Sequence, residues 1–171
     1  QVVRERLVAQ ARRRGEDPAG IEVARTALRT DALTIGFARR FATYKRAPLL
    51  FQDLDRLESI LGDIDQPVQV LFAGKAHPLD EPGQAYAKKI HAMCKRPGLQ
   101  GKVVLLEEYD MGLGRLLTSG CDIWLNTPIR PHEASGTSGM KGPLSGGLNL
   151  SISDGWWPEA ANGQNGWTID G

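Results

Sequence analysis

From Asp31 onward, short apolar runs alternate with stretches of helical periodicity. Leu33 to Ala38, Val68 to Ala73, Val103 to Leu106, Ile123 to Leu125 and Leu148 to Ile152 are near-continuous aliphatic segments. That is the pattern of strands covered on both faces. Between the first two runs, Leu50, Leu54, Leu57 and Leu61 recur at helical spacing, and between the next two Tyr86, Ile90 and Met93 do the same. Both stripes predict helices that turn one face to a core. A further helix is expected over Met111 to Ser119 and a short one from near Ser138. Regular alternation of strand and helix specifies an α/β fold with a parallel sheet flanked by helices.

Ahead of this alternation the pattern is helical only. Residues 2 to 13 carry Val3, Leu7 and Val8 on one side and arginines around the rest, and Gly15, Pro18 and Gly20 then break the pattern. A second helix is expected from about Ile21 to Leu28. Residues 1–30 therefore read as an N-terminal helical segment packing on a domain formed by 31–171. The basic cluster Arg12 to Arg14 reads as a solvated helix end and is given no function. No internal repeat is visible.

Composition narrows the classes. With 171 residues and 41% hydrophobic content, the chain suits one domain with a sizeable core. Its net charge of +1 argues against a partner chosen by strong overall charge, whether nucleic acid or a membrane surface. No apolar run approaches the roughly 20 residues of a membrane span, and the polar, basic start lacks a signal-peptide core. Cys94 and Cys121 lie in apolar surroundings and read as two buried thiols, which fits a reducing cytoplasm. A start at Gln1 and an end at Gly171, directly after an aromatic stretch, point to a piece of a longer protein. A homo-oligomer is left open.

Candidate chemistry gathers where the predicted strands end. The chain turns polar at Arg39 and Arg40, at Gly74 to His77, at Glu107 to Tyr109, at Asn126 and Thr127, and at Ser153 and Asp154. Ligands of open parallel sheets bind outside the carboxyl ends of the strands, so these residues are candidates to share one crevice. In FARRFATYKRAPLL, two guanidiniums and the ammonium of Lys45 form either a cationic cup for phosphate or an ordinary charged strand end. In EASGTSGMK (Glu133 to Lys141), hydroxyls and free N–H groups open a helix that carries Lys141 one turn in. Such a segment is either an anion site with a reactive lysine or a plain glycine turn.

These two segments together resemble a known family. EASGTSGMK is similar to the EASGTGNMK signature of α-glucan phosphorylases, which use pyridoxal 5'-phosphate to cleave α-1,4-glucans with inorganic phosphate. FARRFATYKR resembles the phosphorylase segment whose basic residues hold two phosphates. FAGKAHP, LLEEYDMGL and LNLSISDGWWPE extend the likeness over Asp31 to Gly171. The tail DGWWPEAANGQNGW looks more like the shorter bacterial and archaeal enzymes than the long animal ones.

The resemblance implies a Rossmann-like sheet, part of the C-terminal domain of a two-domain GT-B glycosyltransferase whose N-terminal domain is missing from this chain. It makes Lys141 the lysine that carries the cofactor, with Thr137, the Ser138 amide and Arg39 on the cofactor phosphate and Tyr109 lining the group. Arg40 and Lys45 would bind the substrate phosphate and, with Lys141, are the catalytic candidates. Glu133 and the amides of Ser135 and Gly136 would take hydroxyls of the glucosyl unit, which passes to phosphate as glucose 1-phosphate. Ser138 and Gly139 depart from the Gly-Asn of the long enzymes, and Ala42 and Thr43 from a His-Glu pair. Lys75 and His77 are expected to shape a loop, His91 and His132 are too isolated for a metal site, and Trp156 and Trp157 are read as packing before sugar stacking. The isolated chain is expected to be inactive. A nucleotide-sugar glycosyltransferase of the same architecture and a non-catalytic phosphate or sugar-binding domain are the alternatives.

Overall fold

The computed structural model describes residues 1–170. The chain runs α1 (Val2–Arg13), α2 (Pro18–Thr26), β1 (Leu33–Ala38), α3 (Leu54–Gly62), β2 (Val68–Ala73), α4 (Glu81–Cys94), β3 (Val103–Leu106), α5 (Met111–Gly120), β4 (Ile123–Asn126), α6 (Thr137–Leu144), β5 (Leu148–Ile152), α7 (Trp157–Ala160) and β6 (Gly166–Ile169). Two 3-10 turns, Thr43–Lys45 and Ala47–Phe51, lie between β1 and α3, so Leu50 belongs to a separate turn and the helix proper starts at Leu54.

The six strands form one sheet in the order β3-β2-β1-β4-β5-β6, all parallel. Each apolar run of the sequence becomes a strand with helices on its faces. On one face Leu7 and Ala11 of α1, Ala24 of α2 and Leu113 and Leu117 of α5 bury Leu71, Leu106 and Trp124. On the other, Leu57 and Leu61 of α3 and Ile90 of α4 pack with Phe37, Phe72 and Leu125. The sheet order reverses between β1 and β4. Connections diverge there to opposite sides, leaving a crevice above the strand ends.

Four helices start on the same device. The side chains of Asp17, Asp53, Asp80 and Asp110 accept from the amides of Gly20, Arg56, Gly83 and Leu113. Each such cap contributes about 1 kcal/mol. In α2 this cap, with proline in the first turn, moves the start to Pro18 rather than Ile21, and the helix stops at Thr26 because Ala27 is already extended (ψ 165), with Leu28 following at φ 61.

β6 was not among the expected strands. It is a short edge strand preceded by a polar, glycine-rich stretch, and Trp167 on it is 53% exposed, so no buried apolar run announces it. Among the described residues no helix is long and apolar enough to cross a membrane.

Candidate functional site

Arg39 leaves β1 at the switch point and turns inward, its side chain only 3% exposed. Its Nη2 donates to Glu133 Oε2 at 2.5 Å. Lys45, 9% exposed, donates from Nζ to both oxygens of the same carboxylate, at 3.1 and 2.9 Å. The ammonium also stands 4.6 Å from the centre of the Tyr44 ring. One glutamate thus bridges two cations from the other motif, a pairing that spacing along the chain could not reveal.

The bridge is held by backbone bonds between the two loops. Arg46 donates from Nε and Nη2 to the carbonyls of Thr127 and Pro128, each at 2.9 Å. Thr127 Oγ1 returns a bond to Lys45 O at 3.0 Å, and Ile129 N donates to Tyr44 O at 2.7 Å. Sequence reasoning gave Arg46 no part; its only signal was its place beside Lys45.

Two nitrogens of Arg39, Nε and Nη1, are buried and have no hydrogen-bond partner among the described residues. The Asn126 carboxamide, at the end of neighbouring β4, is likewise buried with both polar atoms unpaired. Unsatisfied buried donors of a guanidinium are costly and suit an anion. Arg40 is exposed on the next residue.

Gly136, at φ 76, caps α6, and Thr137 and Ser138 occupy its first turn, where backbone N–H groups have no intrahelical partner. Gly139 lets this turn sit against its neighbours: a Cβ there would lie 2.9 Å from both Asn126 Nδ2 and Trp156 Nε1. Lys141 follows, exposed, on the wall of a cleft of about 590 Å³. Tyr109, Asp110, Met111, Gly114, Arg115 and Thr118 line the rest. Burial and the nearby Asp110 carboxylate raise the Tyr109 hydroxyl above its ordinary value. The amine and aromatic wall of the cleft suit an aromatic aldehyde, and the α6 N-terminus and the unpaired guanidinium donors of Arg39, which lie outside the cleft lining, suit a phosphate.

Not every strand exit joins this crevice. Glu107 is drawn away by Arg13 at the end of α1 and by Arg14, which caps it. In the basic cluster Arg12 to Arg14, read as a solvated helix end, Arg13 and Arg14 make these surface pairs while staying 48 and 42% exposed. His77 accepts from Leu79 N at 3.1 Å and shapes its own loop. Trp157 is buried and donates from Nε1 to Thr168 Oγ1 at 3.0 Å, which makes it part of the core. Cys121 is buried, Cys94 is partly so, and both thiols are free and pushed by burial up to about 12.

No protein-family model matches the chain. Curated relatives do. The maltodextrin phosphorylase of Thermococcus litoralis is 52% identical over 150 residues, 88% of this chain and 18% of its own length. The glycogen phosphorylase of Mycobacterium tuberculosis is 49% identical over 167 residues, 98% of this chain and 19% of its own. That of Aquifex aeolicus is 46% identical over 90% of the chain and 22% of its own. Among solved structures, Anabaena HepE in complex with UDP and glucose has a TM-score of 0.64 at 21% identity, over 95% of this chain and 38% of that one. At that identity the likeness speaks to the shared fold. The chain spans about a fifth of the length of the relatives it matches, and over that stretch it belongs to the glycogen and maltodextrin phosphorylase family.

Proposed function

We propose that residues 31–171 are the cofactor- and phosphate-binding part of an α-1,4-glucan phosphorylase, with 1–30 as an N-terminal helical segment packing on it. In this reading the whole protein transfers a glucosyl unit from the glucan end to inorganic phosphate, giving α-glucose 1-phosphate. The observation that carries it is the convergence of Arg39 and Lys45 on Glu133 across 94 and 88 residues of chain, with two guanidinium nitrogens unpaired among the described residues.

Lys141 would hold pyridoxal 5'-phosphate, with Tyr109 beside the group and the Thr137 and Ser138 amides and Arg39 on its phosphate. When bound, the group supplies a phosphate able to exchange a proton with the substrate phosphate. Arg40 and Lys45 would hold that second anion. Arg39 and Lys45 put two cations on the Glu133 carboxylate, with the Asp154 carboxylate behind its amide, and the exposed Arg40 adds a third cation one residue after Arg39. Glu133, with the Ser135 and Gly136 amides, would accept and donate to glucosyl hydroxyls and so orient the sugar.

The chain alone is proposed to be inactive. Lys141, Arg40 and Ser135 are exposed, and excluding water from them requires further polypeptide. UDP in the HepE structure makes a nucleoside diphosphate the competing ligand for the same fold, but such a ligand gives Lys141 no task. The test transplants this chain into the matching stretch of the Thermococcus litoralis enzyme. Release of glucose 1-phosphate from maltodextrin and phosphate is expected, and its loss with Lys141→Ala. An active Lys141→Ala transplant, or rapid release by the chain alone, would contradict the reading.

A further inference from the structure

Glu133 is fixed at its backbone as well as at its carboxylate. Its N–H donates to Asp154 Oδ2 at 2.9 Å, while Asp154 Oδ1 accepts from Gly155 N at 2.9 Å. The chain then turns, and Trp156 N–H donates to Ser135 O at 2.9 Å. Gly155 has φ 61, and a Cβ on it would lie 2.6 Å from Ser135 O, so the two loops meet backbone to backbone. The turn after β5 thus grips residues 133 to 135 at both ends. Both oxygens of one carboxylate serve that grip.

We propose that Asp154 is a positioning residue for glucosyl recognition. It acts through Glu133, setting where that carboxylate and the Ser135 and Gly136 amides stand, and touches neither sugar nor phosphate. The proposal rests on the reading of those three residues as the groups that take glucosyl hydroxyls. A carboxylate close to a phosphate site opposes anion binding by simple Coulomb repulsion. Its place here therefore needs a structural reason, and the amide bonds it accepts, one from Glu133 and one from Gly155 of its own turn, provide one.

The test titrates this chain with α-glucose 1-phosphate and with inorganic phosphate, followed by NMR, and takes the ratio of the two affinities. Removing a nearby negative charge strengthens both ligands alike and cancels from the ratio. Misplacing Glu133 weakens only the ligand that carries the sugar. Asp154→Asn keeps the shape but turns an amide NH2 toward one of the two N–H groups. Asp154→Glu keeps the charge but is one methylene too long. The preference for glucose 1-phosphate should fall about fivefold in both variants, the worth of one lost hydrogen bond. Should Asp154→Asn fail to fold, Asp154→Glu carries the comparison alone. A wild-type preference that survives either folded variant overturns the positioning role and leaves the functional reading intact. A wild-type chain with no preference for glucose 1-phosphate overturns that reading, and the role of Asp154 with it.

Discussion

Two parts of the candidate site lie within one nine-residue motif and differ in nearly every physical respect. Glu133 begins the motif in a corner where it, Arg39 and Lys45 are 10, 3 and 9% exposed and bonded to one another. Lys141 ends it on an open cleft beside Met111, which is 92% exposed. In the corner the protein supplies its own counter-charge, so burial of three ionised groups is offset from within. The cleft offers an amine and an aromatic wall, and among the described residues neither the Lys141 ammonium nor the Tyr109 hydroxyl has a hydrogen-bond partner. The first part is largely paired from within, with two guanidinium nitrogens of Arg39 left over; the second acquires its purpose from whatever fills it.

Stability should register that contrast. Glu133→Ala leaves two buried cations uncompensated and should cost about 3–5 kcal/mol in urea unfolding. Lys141→Ala should stay within about 0.5 kcal/mol of wild type. Equal losses would erase the distinction. Gly139→Ala sharpens it at the seam of the two parts: its Cβ would stand 2.9 Å from Asn126 Nδ2 and from Trp156 Nε1, and about 1–3 kcal/mol should be lost.

The smallest effect lies in the cleft and at alkaline pH. Folding raises the Tyr109 pKa, chiefly through burial and then through Asp110. A raised value means that the folded state holds the proton more tightly, so this contribution is complete below the ordinary tyrosine pKa near 10 and fades as pH rises through the higher folded value. Tyr109→Phe should flatten the decline in thermal midpoint over that alkaline range. An identical decline in the variant would place the titrating group elsewhere.

The sheet was legible because β1 to β4 are largely buried apolar runs and β5 alternates Leu148, Leu150 and Ile152 with Asn149 and Ser151, and such patterns announce themselves without any partner in view. β6 escaped for the opposite reason: Trp167 and Thr168 are exposed at an edge, and only pairing with β5 makes them a strand. The site divides along the same line. Arg39, Lys45, Glu133 and Lys141 stood out as residue types at strand exits and helix starts, and the family resemblance supplied their roles. That Glu133 bridges Arg39 and Lys45, that Arg46 straps the two loops, and that Asp154 holds the Glu133 amide are products of topology. They join residues 21 to 94 positions apart and leave no local pattern.

The most direct test of the account is the lysine itself. The chain is incubated with one equivalent of pyridoxal 5'-phosphate, reduced with borohydride and mapped by peptide mass spectrometry. A single adduct at Lys141, lost in Arg39→Ala, is the predicted result; an adduct on another lysine with Lys141 unmodified would contradict it.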